Sequence, residues 1–139
     1  MAYTSDVFVR TSRALPRGTH AHWLLRLPLA LVLVQQGIDK FPLSADAAAG
    51  FGLPFALWAL AAVGEIGAGA LLIVAGFLRG ALGNLLTRIA GAGLAVIVLG
   101  VLFVAYGGTP ADWVIFNQFH LLLMAGGLYF ALTGGRRSV

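Results

Sequence analysis

An all-α membrane protein, folded as an antiparallel bundle of four transmembrane helices with both termini in the cytoplasm, is the fold that three observations predict. The first is composition: of 139 residues, 60% are hydrophobic and 10% charged, whereas a soluble domain is about 45 to 50% apolar and about 25% charged. The second is pattern, since four apolar runs approach the roughly 20 residues that cross about 30 Å of hydrocarbon. The third is the placement of arginine beside alternate ends of those runs.

The first run extends from about 22 to 38 and is interrupted by Arg26, Pro28, Gln35 and Gln36. The second, from about 53 to 78, is the clearest span and contains a single acid, Glu65. Pro54 falls in its first turn, where a missing N–H costs nothing. The third runs from about 85 to 105 with Arg88 near its start, and the fourth from about 114 to 132, opening with Asn117, Gln118 and His120. Connections this short leave no room for a second domain. Residues 1–21 form a basic tail with no long apolar core and no cleavage site after the first run, so no removable signal peptide is expected. Residues 134–139 form a short second tail.

Orientation follows from the flanks. The N-terminal tail carries Arg10, Arg13 and Arg17, the loop between the second and third runs carries Arg79 and adjoins Arg88, and the C-terminal tail carries Arg136 and Arg137. The opposite loops hold only Lys40 as a cation, beside Asp39, Asp46 and Asp112. Basic flanks stay inside, so both termini are expected in the cytoplasm. A net charge of +4 spread in this way fits a lipid bilayer as partner and not nucleic acid. Having no cysteine, the chain alone excludes disulfide exchange, iron–sulfur clusters and thiolate zinc sites.

Small residues recur along the second run (Gly64, Gly67, Ala68, Gly69), the third (Gly91, Gly93, Gly100) and the fourth (Gly126, Gly127). They read first as faces that let helices approach closely. The other reading is that some leave space for a flat ligand.

Polar groups inside the bilayer carry the functional argument. A charge near its centre costs on the order of 3 kcal/mol even on a lenient scale, so each needs a partner or a purpose. Glu65 lies near the middle of the second run, and its candidate partners are Arg26 and Lys40, between which depth does not choose. Gln35, Gln36 and Asp39 share the outer half of the membrane with Asn117, Gln118 and His120. Asn117 and His120, one turn apart, are placed to line one pocket. The functional reading is a site that hydrogen-bonds a carbonyl-bearing lipophile such as a quinone, with Glu65 or His120 handling a proton. The competing reading is interhelical hydrogen bonding, each bond worth about 0.6 to 2 kcal/mol.

Histidine depth bears on haem. His20 and His22 belong to the cytoplasmic end of the first run and His120 to the outer half of the fourth, which disfavours a bis-histidine haem within one chain and leaves a single ligand at His120 open. Metal-binding clusters, nucleotide-binding loops and nucleophile triads are absent from the sequence.

The order of these residues resembles the DoxX-like membrane proteins. The matching elements are Leu24-Leu25-Arg26, Gly37-Ile38-Asp39-Lys40-Phe41, Gly52-Leu53-Pro54, Glu65 with Gly67 and Gly69, and the exit Gly76-Phe77-Leu78-Arg79. Thr133-Gly134-Gly135-Arg136-Arg137-Ser138 is similar to that family's glycine-rich tail but stops before its usual aspartate. The resemblance covers residues from about 23 to 138. It implies a multi-pass protein of the bacterial inner membrane whose polar signature is Arg26, Lys40, Glu65 and Arg79, and it implies a link to quinone-coupled electron transfer.

Two functions follow as expectations. The preferred reading is a noncatalytic accessory subunit docked on a larger quinone-linked redox complex, and the alternative is a self-contained binder of a quinone or small lipophile or a membrane oxidoreductase. The second reading draws its pocket from Glu65, His120, Asn117 and Lys40, with Arg26 and Gln36 as further intramembrane polar candidates. A small transporter is a third reading, for which the chain has few helices unless it forms a homo-oligomer.

Overall fold

The computed structural model describes residues 20–135, and all the regular structure among them is helical. The N-terminal arginines, Arg136 and Arg137 lie outside the described residues. Six helices follow in order: α1 (His22–Ile38), α2 (Ala45–Gly50), α3 (Phe55–Phe77), α4 (Gly80–Val101), α5 (Pro110–Phe116) and α6 (Gln118–Thr133), with a π-helical turn, Leu102–Tyr106, continuing α4. By length and composition, Phe55–Phe77 and Gly80–Tyr106 are each able to cross a membrane. A third crossing is added if α5 and α6 count as one broken span. With 17 residues, α1 reaches about 25 Å.

Neighbouring long helices run antiparallel, as their close approaches show. A Cβ on Gly37 would meet Ala62 and Ile66, one on Gly69 would meet Ala30 and Leu33, and one on Gly76 would meet Trp23, so α1 descends alongside α3 in opposite sense. Gly91 and Gly127 bring α4 and α6 together: a Cβ on Gly91 would lie 2.5 Å from the Gly127 carbonyl oxygen. Leu29, on α1, packs on Gly126 of α6. Leu33, Leu72, Leu94, Leu102 and Phe130 fill the space between.

The apolar core also encloses charge, while large apolar side chains face outward. Arg26 and Thr87 are completely buried and Glu65 nearly so, while Leu24 (81% exposed), Val96 (69%) and Leu122 (67%) face outward. Soluble monomers rarely leave so much contiguous apolar surface uncovered. This chain is a membrane protein.

Two of the expected runs need correction. The third begins at Gly80, not near 85. Gly80 takes a positive φ of 74°, and Gly83 packs directly on the Leu78 backbone, so the turn after α3 closes in two residues. The fourth, expected as one helix over 114–132, breaks at Asn117, where α5 meets α6 at 106°. α5 starts early because Thr109 and Asp112 form a reciprocal capping box on either side of Pro110. Trp113 then turns inward, donating from Nε1 to the Gly107 carbonyl at 2.6 Å and meeting Phe103 edge to face at 4.7 Å. Asn117 (φ −126°, ψ 34°) leaves the helical region; its N–H caps Trp113 and its carbonyl accepts from Leu121. Apolar content continues across the break, which is why the run reads as one segment.

Candidate functional site

α3 presents a stripe of buried residues at helical spacing, Trp58, Ala62, Glu65, Gly69 and Leu72, to the other helices. Glu65 is the tenth residue past the start of α3, about 15 Å along its axis. Across from it, α1 ends at Ile38, and Lys40 folds back from the following turn. Lys40 Nζ lies 2.6 Å from Glu65 Oε2 and also donates to the Gln36 carbonyl at 3.1 Å. Lys40, not Arg26, is the partner of Glu65.

Arg26 occupies a separate place deeper in the molecule. It donates from Nη1 to the Leu72 carbonyl and from Nη2 to Thr87 Oγ1 at 3.1 Å. Its guanidinium lies over Phe130 at 4.8 Å and beside Trp23 at 5.7 Å. One side chain thereby touches α1, α3, α4 and α6. No carboxylate pairs with it among the described residues, and its Nε has no acceptor. Carbonyl dipoles and aromatic faces balance its charge instead.

The Lys40–Glu65 pair forms part of the wall of a chamber of about 770 Å³, within the size range of small-molecule sites. Gln36, Asp39 and His120 also line it, so five of the sequence-selected polar residues meet there. His120 packs on Tyr106, ring centres 5.0 Å apart. Asn117 is not on the chamber wall; it serves the break between α5 and α6. His22 lies at the far end of the molecule, lining a smaller recess with Thr133 and Gly134. Arg79 begins α4 at that same end, and Arg88 donates to the Ala131 carbonyl at 3.1 Å.

Trp58 completes the chamber and is a residue that the sequence analysis did not single out. It is 7% exposed, stacks on Phe51 at 4.9 Å, and carries Lys40 Nζ 5.3 Å from its ring. Its indole N–H has no acceptor among the described residues. Leaving a buried donor unpaired costs about 1 to 3 kcal/mol, and the nitrogen itself is closed to solvent, so an acceptor reaches it only if the indole turns. The signal was spacing: Trp58 precedes Glu65 by seven residues, two helical turns on the same face. Tyr106 had no such signal, because the π-helical turn sets its direction.

Comparison with models of protein families, with curated proteins and with solved structures finds no match.

Proposed function

We propose that this chain crosses the bacterial inner membrane four times, with both termini cytoplasmic, and binds a neutral carbonyl-bearing lipophile such as a quinone in its outer chamber. The observation that carries the reading is a chamber walled by the Lys40–Glu65 pair, His120 and the rings of Phe51, Trp58 and Tyr106. An ammonium has three N–H bonds, and Lys40 uses two, on Glu65 and Gln36. One donor of Lys40 is therefore available to a carbonyl oxygen, the indole N–H of Trp58 joins it if the ring turns, and Phe51, Trp58 and Tyr106 offer flat apolar surface to a ring. The Lys40 and Glu65 charges offset each other and Asp39 is left as a further carboxylate on the wall, so an anionic head group is disfavoured and a neutral one fits. A bound quinone would supply redox chemistry that this cysteine-free chain does not have in its side chains.

The four crossings are supported by the outward apolar surface and by the arginine bias. The likeness to DoxX-like proteins points the same way, because Arg26, Lys40 and Glu65 of its polar signature are the residues that join the helices here. The accessory-subunit reading shares the quinone.

Equilibrium binding of a decyl-substituted benzoquinone to the purified chain in lipid nanodiscs tests the reading. Saturable binding that weakens in Glu65→Gln is expected. Equal affinity in the two proteins would count against the chamber. Purification from native membranes in mild detergent separates the two roles, since an accessory subunit co-isolates with larger chains.

A further inference from the structure

We infer that the ligand of the chamber is an amphiphile whose apolar tail leaves sideways between α3 and α4 and lies in the groove these helices turn toward lipid. This rests on the chamber being a binding site and adds the direction from which the site is filled.

Continuity of the surface carries the inference. The chamber shares Leu53, Ala61 and Val101 with an apolar groove of about 260 Å³. That groove shares Leu60, Val96 and Ile97 with a longer one of about 690 Å³ that passes over Gly64, Gly67 and Gly93. From Leu57 to Leu71 the track follows α3 for about 21 Å. It begins at a polar chamber where Lys40 keeps one N–H unused and continues through apolar surface only.

The glycines distinguish this track from a packing seam. At Gly37, Gly69, Gly91 and Gly127 an added Cβ would press on the backbone of a neighbouring helix, so those residues are small because helices touch there. At Gly67, Gly93 and Gly100 an added Cβ meets no atom within 4 Å. Contact within this chain does not account for glycine at these three positions. An open floor beneath a tail does.

Energetics decide what the groove contributes. Lipid chains are as apolar as the groove, so a tail gains no hydrophobic free energy on moving into it. The gain is dispersion contact and a fixed direction, which aims the head group at Trp58 and Lys40. A tail of matching length therefore improves binding through shape.

The test uses the full chain in nanodiscs and two probes, a decyl-substituted benzoquinone and its methyl-substituted counterpart without a tail. Gly93→Leu and Gly100→Leu fill the groove, and Ala70→Leu adds the same bulk to an exposed position of α3 that lines neither groove. Both groove variants should bind the decyl probe about tenfold more weakly while binding the tail-less probe as wild type does, and Ala70→Leu should change neither. A decyl probe with a diazirine at its tail end should label peptides of α3 and α4 in the wild-type protein. Equal decyl affinity in all four proteins overturns the tail track alone. So does equal loss of both probes in the groove variants, labelling confined to α1 and α6, or labelling of a second copy of the chain. Failure of the decyl probe to bind the wild-type protein overturns the chamber reading together with the track.

Discussion

Lys40 Nζ and Glu65 Oε2 stand 2.6 Å apart, so the turn after α1 is tied to the interior of α3 by an ion pair that is mostly out of reach of solvent. Breaking a buried pair on one side leaves an uncompensated charge, which typically costs about 3 to 5 kcal/mol, whereas removing both charges costs far less. Lys40→Met and Glu65→Leu should each lower the thermal midpoint in a fixed detergent, and the double variant should recover much of the loss. A double variant as unstable as the sum of the singles would mean that the pair is not coupled.

Arg26 makes a second prediction. Its planar fork reaches the Leu72 carbonyl and Thr87 Oγ1 together while its face covers Phe130, which the single ammonium of lysine does not reproduce. Arg26→Lys should therefore destabilise the fold, and Thr87→Val should cost about 1 to 2 kcal/mol. Thermal unfolding of both variants checks the order, Arg26→Lys being the more severe.

Glycine position predicts opposite outcomes for similar changes. Gly127→Leu drives a side chain into the backbone around Gly91 and Ala95, so it should abolish the folded protein in gel filtration. Gly67→Leu points into open space and should leave the elution profile unchanged.

Asp112 supplies a pH dependence at the exposed first turn of α5, ahead of the apolar run that begins near 114. The Thr109 backbone N–H, at 2.7 Å, and the Thr109 hydroxyl, at 2.8 Å, hold its carboxyl below the ordinary carboxylate value. A group whose pKa falls on folding contributes stability above its unfolded value, near 3.9, and loses it as pH falls through the folded one. Amide exchange over α5 should accelerate as pH drops through that window, after correction for intrinsic rates. In Asp112→Asn the step should vanish.

Much of this arrangement was readable from the chain. The bounds of α1 and the apolar core of α3 follow from hydropathy, and the seven-residue spacing of Trp58 and Glu65 marks one face. Depth left Arg26 and Lys40 equal as partners of Glu65. The choice came from the turn after Ile38, which folds Lys40 back, and from Thr87 and Leu72, which occupy Arg26. The break at Asn117 was hidden because Val114, Ile115 and Phe116 are as apolar as the helix that follows. Thr109, Pro110 and Asp112 did carry a capping signal, but hydropathy over a long window outweighs a three-residue motif.

Sidedness is open to direct measurement because the chain has no cysteine. Ser138→Cys in intact cells should resist a membrane-impermeant maleimide, and Ala111→Cys should react. The reverse pattern would invert the proposed topology.

The central claim is that the chamber beside Lys40 and Glu65 takes a carbonyl-bearing lipophile, and the indole N–H of Trp58 reports on it most directly. The chain has three tryptophans, Trp23, Trp58 and Trp113, and Trp113 is already bonded to Gly107. In [15N]indole-labelled protein titrated with the decyl-substituted benzoquinone, one indole signal should move downfield with saturation, and it should be the signal missing from Trp58→Phe. A titration in which the Trp58 signal stays fixed while the probe binds would contradict the account.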